Sequence, residues 1–148
     1  MASYLPAGPH NPSGHKEGRV LVVDDEPEVR KPIIINLQQA GYEVVEAENG
    51  LQAIEALRGD NGLMVDTILC DIRMPRMNGT EAIAYFRAEF PSVPVVVLTG
   101  YPDVERAVWF LKQGVVDYLV KPVSKHQLLA AIKQAVAQHV VLRDQFRA

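Results

Sequence analysis

A chain of 148 residues is long enough for one domain with a sizeable core, and its net charge of −3 argues against an autonomous nucleic-acid binder, which would normally carry a basic face. A single cysteine, Cys70, excludes an internal disulfide and suits a reducing cytoplasm. No apolar run approaches the roughly 18 residues that span a bilayer. Residues 1–18 are rich in Pro, Gly, Ser and His and lack an apolar signal-peptide core, which indicates a flexible leader.

Beyond the leader, short apolar runs alternate with segments of helical periodicity. The apolar runs are rich in Val, Ile or Leu, as expected of strands covered on both faces. They predict strands at residues 20–23, 42–46, 67–70, 95–98 and 116–119. Helices are predicted at residues 33–40, 50–58, 79–90 and 103–113, and from 124 onward. This alternation predicts a parallel sheet with helices on both faces, a doubly wound α/β domain.

The predicted helix ends carry residues typical of such positions, namely Gly41, Gly59, Pro91 and Gly114 after the first four helices and Ser124 before the fifth. Pro32 conflicts with a first helix that begins near Pro27, because a proline inside a helix removes a backbone donor and clashes with the preceding turn, at a cost of about 3 kcal/mol or more. The helix therefore either begins late, with Pro32 in its first turn, or is kinked.

Polar side chains stand at the ends of four predicted strands: Asp24 and Asp25, Asp71, Thr99, and Lys121. In a parallel sheet these ends meet at one edge, where ligands bind. Three crowded carboxylates need a hard cation such as Mg²⁺ or Mn²⁺. A lysine and a hydroxyl beside that cation suit phosphoryl oxygens. One carboxylate would be free to attack phosphorus and form an acyl phosphate.

Four motifs carry a family resemblance: VVDDE at 22–26, CDIRMPRMNG at 70–79, VVVLTG at 95–100 and DYLVKP at 117–122. From about residue 19 to about residue 139 the chain resembles the receiver domain of bacterial two-component response regulators. The resemblance implies a flavodoxin-like, five-stranded parallel sheet of order 2-1-3-4-5 with five helices. Residues 140–148 would extend the last helix beyond this domain.

The resemblance also implies roles at the acidic edge. Asp71 corresponds to the phosphoacceptor. Asp25 corresponds to a direct metal ligand, and Asp24 to an acid that holds the metal largely through water. The backbone carbonyl of Arg73 corresponds to the remaining protein ligand of the metal.

Further positions correspond to groups that contact the phosphoryl group or change conformation when it is bound. Thr99 and Lys121 match residues that contact the phosphoryl oxygens. Tyr118 matches an aromatic switch residue, although a tyrosine here can equally be part of the core. Pro122 matches a position where the Lys–Pro bond is cis.

The function implied is that of a receiver that takes a phosphoryl group from a histidine kinase or histidine phosphotransfer protein and changes the surface of its fourth helix, fifth strand and fifth helix. It would not be an enzyme beyond its own phosphoryl transfer and slow autodephosphorylation. One alternative is a phosphorylation-independent pseudo-receiver, although such modules usually lose site residues. Another is a metal-dependent phosphohydrolase, which commonly has a second Asp two residues after the nucleophile, where this chain has Arg73. The effector, and whether the receiver stands alone or belongs to a longer regulator, stay open.

Two positions bear on how long the phosphoryl group stays attached. Arg73 and Tyr101 border the path of the attacking water in this family. Both are bulky and lack a group suited to activating water, which predicts slow hydrolysis, unless both side chains point into solvent.

Two other features bear on association. In the last helix a spacing of four and three residues predicts a coiled-coil seam: Leu128, Ile132, Ala135, His139, Leu142 and Phe146. We expect the first two to pack on the sheet and the tail to self-associate or to connect to an effector. Trp109 and Phe110 fit either the core or a docking face.

Overall fold

The computed structural model describes residues 17–59, 65–72 and 79–145, with side chains as far as His139. Five strands form one sheet of order β2-β1-β3-β4-β5, and every neighbouring pair is parallel. The strands are β1 (Gly18–Val23), β2 (Tyr42–Ala47), β3 (Thr67–Asp71), β4 (Val95–Thr99) and β5 (Asp117–Val120). The predicted fold class and strand order are therefore confirmed. Most of the predicted leader lies outside the described residues, but Gly18 is already the first residue of β1.

Five helices alternate with the strands: α1 (Pro27–Gln39), α2 (Gly50–Arg58), α3 (Gly79–Glu89), α4 (Val104–Lys112) and α5 (Lys125–Gln145). Gly41 and Gly114 follow α1 and α4 with φ of +98° and +93°, in the left-handed region that favours glycine. The Ser124 hydroxyl oxygen caps α5 by accepting the Gln127 backbone N–H at 3.1 Å. None of the described helices is long and apolar enough to cross a membrane.

Pro32 lies inside α1, as its sixth residue. The alternative of a late helix start is wrong, because α1 already begins at Pro27, whose fixed φ suits the first helical position. Downstream of Pro32 the helix buries Ile33, Ile34 and Leu37 against the sheet. This apolar burial offsets the hydrogen bond that the proline cannot make.

The core has two layers because successive residues of each strand face opposite sides of the sheet. Leu21, Ile68 and Val97 pack with side chains of α2 and α3 on one side. Val20, Leu69 and Val96 pack with α1 and α5 on the other side. Cys70 belongs to the first layer, where burial raises the pKa of its thiol, so it is an inert core residue.

The last helix packs on the domain further along its length than the seam predicts. Ala135 and His139 are buried as well as Leu128 and Ile132. His139 Nδ1 lies 2.8 Å from Asp66 Oδ1, so a polar contact extends the packing to the last described side chain. The expected packing of Leu128 and Ile132 is therefore confirmed, and the contact with the domain continues to His139. The side chains after His139 lie outside the described part, and self-association through this tail stays a prediction.

Gly79, the first residue of α3, has no room for a side chain. A β-carbon there would lie 2.1 Å from the Ile72 Cα, and backbone atoms cannot move away as a flexible side chain would. We expect Gly79→Ala to lower the free energy of unfolding by about 3 kcal/mol or more, measured by urea denaturation. Gly100→Ala is the matched control, because its new β-carbon would meet nothing closer than Lys121 Cδ at 3.8 Å. Equal losses in the two variants would contradict the steric argument.

Candidate functional site

The predicted polar residues do meet at the carboxyl edge of the sheet. Asp24 follows β1, Asp71 and Thr99 are the last residues of β3 and β4, and Lys121 follows β5. The parallel register places these strand ends side by side, with Asp71 opposite Leu98 and Thr99 opposite Val120. Asp24, Asp71 and Thr99 are buried, whereas Lys121 is partly exposed.

Lys121 connects the acids of two different strands. Its Nζ lies 2.9 Å from Asp24 Oδ2, 3.2 Å from Asp71 Oδ2 and 3.8 Å from Glu26 Oε1. Burial disfavours the charged ammonium, but the carboxylates of Asp24 and Asp71 outweigh burial and raise the pKa of Lys121 above its ordinary value. The lysine is therefore held in its charged form beside the predicted phosphoacceptor.

Four acids form a cluster at this edge: Asp24, Asp25, Glu26 and Asp71 have ligand oxygens within 4.8 Å of one another. The buried Asp24 Oδ2 lies 2.9 Å from Lys121 Nζ, and this ion pair is its one polar contact among the described residues. Carboxylate oxygens are the ligands that Mg²⁺ and Mn²⁺ prefer, so this set fits a hard divalent cation. The predicted ligand set does not include Glu26, although this residue continues the acidic run after β1.

Thr99 and Tyr118 contact the chain between β4 and α4. The Thr99 hydroxyl oxygen accepts the Tyr101 backbone N–H at 3.0 Å. The Tyr118 hydroxyl oxygen accepts the backbone N–H of Asp103 at 3.4 Å, and Asp103 caps α4 through its side chain. The half-buried Tyr118 ring lies 6.3 Å from the ring of Phe110. Tyr118 thus contacts both the core and the N-cap residue of α4.

The remaining predicted residues differ in their surroundings. Tyr101 is 65% exposed. Arg73 lies outside the described residues. Phe110 is fully buried and Trp109 is 38% exposed, so the first is core and the second keeps an accessible ring. The Lys121–Pro122 bond is cis, as the resemblance implied.

Comparison with known protein families identifies the family to which this fold and its acidic edge belong. The family model described as "Response regulator receiver domain" matches residues 20–133, which include the whole acidic edge. The chain belongs to this family. Its receiver fold is shared by a receiver domain protein of Clostridium thermocellum, with a TM-score of 0.79 at 29% identity over 84% of this chain and 98% of the other. A receiver protein of Pseudomonas putida is 33% identical, with a TM-score of 0.72, over 79% and 96% of the two chains.

Curated relatives of this receiver domain are larger proteins. The transcriptional regulatory protein ZraR of Klebsiella oxytoca is 40% identical over 118 residues, which are 80% of this chain and 26% of that protein. The transcriptional regulatory protein GlrR of Escherichia coli K12 is 35% identical over 131 residues, 88% of this chain and 29% of the relative. The DNA-binding transcriptional regulator NtrC of the same strain is 33% identical over 84% of this chain and 26% of its own length. The chain therefore spans less than a third of these relatives.

Proposed function

We propose that this receiver domain accepts a phosphoryl group on Asp71 from the phosphohistidine of a histidine kinase or histidine phosphotransfer protein. The observation that carries the proposal is the position of the Lys121 ammonium, which bridges Asp71 and Asp24 within one acidic cluster. A cation beside a buried carboxylate at the open edge of a parallel sheet suits an incoming phosphoryl group.

In the proposed transfer an Asp71 oxygen forms a bond to phosphorus as the phosphorus–nitrogen bond of the donor breaks. The electron pair of the broken bond leaves with the donor's imidazole, and Asp71 becomes an acyl phosphate. Lys121 stays close to Asp71 and pairs with a phosphoryl oxygen, while the Thr99 hydroxyl donates a hydrogen bond to another.

We propose that the acidic cluster holds Mg²⁺ or Mn²⁺ during this transfer. Asp25 and Asp71 would be direct ligands together with the Arg73 carbonyl, and Asp24 would act largely through water. The buried Asp24 Oδ2, whose one polar contact among the described residues is the Lys121 ammonium, supports this assignment because it keeps capacity to accept from a metal-bound water. A bound divalent cation offsets the negative charge of the carboxylates and of the phosphoryl oxygens.

The proposed output is a change in the surface formed by α4, β5 and α5. Thr99 would give up the Tyr101 amide when its hydroxyl turns toward the phosphoryl group. Tyr118 would then turn inward and release the Asp103 amide at the start of α4. A local change of charge would thus bias two arrangements of one surface.

The proposed partners follow from the family and its relatives. We infer a domain over residues 19–139, with 140–148 extending α5 toward an effector or a second copy of the chain. The named relatives are transcriptional regulators, so we propose that the receiver controls a transcription-regulating domain or protein in the cytoplasm. We propose no direct contact of the receiver itself with nucleic acid or membrane.

We expect the phosphorylated state to be long-lived because Arg73 and Tyr101 shield the phosphorus from water. An arginine can pair with phosphoryl oxygens as well as block the path. Arg73→Asn and Tyr101→Ala should each hydrolyse several-fold faster than the parent, and the double variant fastest, in a phosphate-release assay. Arg106→Asn, on the exposed face of α4, is the control and should decay like the parent. Unchanged decay in all three site variants would show that both side chains lie in solvent.

The proposal is tested by incubating the protein with acetyl phosphate and Mg²⁺ and measuring its intact mass. A stable addition of about 80 Da, the mass of one phosphoryl group, is expected. Release of phosphate over many turnovers would instead indicate a phosphohydrolase. Neither product would indicate a pseudo-receiver and would overturn the proposal.

A further inference from the structure

Arg30, in the first turn of α1, has a buried side chain although it takes no part in the proposed phosphoryl transfer. The residue is only 7% exposed, and arginine is rarely buried unless its charge and donors are satisfied. Its Nη1 donates to the backbone carbonyl of Asp24 at 2.5 Å, and its Nε donates to Glu46 Oε1 at 2.9 Å. The guanidinium therefore joins α1 to the ends of β1 and β2.

These bonds hold the backbone at the start of the acidic run. The Asp24 carbonyl belongs to the planar peptide unit that links Asp24 to Asp25, so fixing its oxygen restricts rotation on both sides of that unit. On its other side Asp24 donates its backbone N–H to the Ala47 carbonyl at 3.1 Å. Its Oδ1 accepts the Glu26 backbone N–H at 2.9 Å. Arg30 is the one side chain of α1 that takes part in this set of bonds.

Asp25 depends on that backbone for its direction. Its half-exposed carboxylate makes no hydrogen bond or ion pair with any other residue in the part of the chain that the structure describes. The backbone, which includes the peptide unit that Arg30 holds, therefore sets the direction in which the Asp25 Cα–Cβ bond points and so the positions that its carboxylate can reach. A direct metal ligand must be held close to its productive position for tight binding.

The positive charge of Arg30 is already offset by its ion pair with Glu46. Glu46, near the end of β2, pairs with the Nε of Arg30 and contributes the opposite charge. Arg30 reaches Asp24 through the neutral backbone carbonyl, whereas Lys121 contacts the carboxylates themselves. Counter-charge for the acids therefore comes from Lys121, and the contribution of Arg30 is geometric.

We propose that Arg30 is a positioning residue for the metal site, which it serves by fixing the peptide unit between Asp24 and Asp25. This inference rests on the proposed binding of Mg²⁺ at the acidic cluster. It predicts a change in Mg²⁺ affinity opposite to the change that the loss of one positive charge would cause by itself. Removing a positive charge near four acids should tighten Mg²⁺ binding, whereas losing the held peptide unit should weaken it.

The experiment is a calorimetric titration of the unphosphorylated protein with MgCl₂. We expect Arg30→Met to raise the Kd for Mg²⁺ about tenfold or more, as for other residues that orient metal ligands. Arg30→Lys keeps the charge, but one ammonium cannot span both the Asp24 carbonyl and Glu46, so its Kd should lie between those of the parent and Arg30→Met. The Asp25→Asn variant identifies the site, because it should abolish the binding.

Arg19→Met is the matched control. Arg19 also pairs with a glutamate across β1 and β2, with its Nη2 2.7 Å from Glu43 Oε1, but at the opposite end of these strands. Its replacement removes the same charge and the same kind of ion pair, so its Kd for Mg²⁺ should stay within about twofold of the parent. Circular dichroism before the titration shows whether each variant is folded, and Arg30→Lys carries the test if Arg30→Met is not.

The outcomes separate this inference from the proposed function. Weaker binding by the Arg30 variants, with Arg19→Met unchanged, supports the positioning role. Equal or tighter binding by the Arg30 variants, with a normal parent, overturns the positioning role alone. A parent that binds no Mg²⁺ overturns the proposed metal site and the role of Arg30 with it.

Discussion

Asp71→Asn should take up no phosphoryl group from acetyl phosphate in the presence of Mg²⁺. Asparagine has nearly the same shape as aspartate, but its neutral amide cannot form the acyl phosphate. Asp71 is the last residue of β3, and its Oδ2 lies 3.2 Å from the Lys121 ammonium. The measurement is the intact mass after incubation, in which the parent should gain about 80 Da and the variant nothing.

Asp66→Asn is the control for this loss. Asp66 immediately precedes β3, at the opposite end of the strand from Asp71, and its side chain contacts His139. We expect this variant to be phosphorylated like the parent, even if it is less stable. Labelling of Asp71→Asn at the parental level would refute the assignment of the phosphoacceptor.

Lys121→Met should slow phosphorylation of Asp71 by about 100-fold or more, the loss usual when a charged or donor group at a reacting oxygen is removed. The same change leaves the buried carboxylates of Asp24 and Asp71 without the ammonium that lies within 3.2 Å of both. The variant should therefore be less stable without metal and should gain more thermal stability from Mg²⁺ than the parent does. Rates from single-turnover labelling and unfolding temperatures with and without Mg²⁺ provide the two measurements.

The pH dependence of stability gives an independent check on Lys121. Because its folded-state pKa is raised above the ordinary value of 10.5, its contribution is fully present below about pH 10.5 and is lost as the pH rises through the folded value. The parent should lose stability in that alkaline range, and Lys121→Met should lack this part of the loss. Lys125→Met, at an exposed position in α5, should behave like the parent. If Lys121→Met lost as much stability at alkaline pH as the parent does, the pairing of Lys121 with the acids would be contradicted.

The sequence alone determined the class of the fold and the place of the site. Strands buried on both faces must be almost continuously apolar, so β3 and β4 are visible as runs that end in Asp71 and Thr99. Parallel strands bring such ends to one edge, and for that reason Asp24, Asp71 and Lys121 could be grouped without coordinates. The strand order was a different matter, because spacing along the chain does not say which strands are neighbours. It followed from the family resemblance of the motifs.

The tertiary structure decided where local patterns are outweighed by contacts between distant residues. Pro32 disfavours an early helix by its own geometry, yet α1 begins at Pro27 because its apolar face is buried against the sheet. The sequence shows His139 as one position of a seam along the last helix, and only the structure shows that it pairs with Asp66, 73 residues earlier in the chain. The proposed role of Arg30 depends on its bonds to the backbone carbonyl of Asp24 and to Glu46 in β2. Such contacts leave no periodic signal in the sequence, because their energy depends on which surfaces the completed sheet brings together.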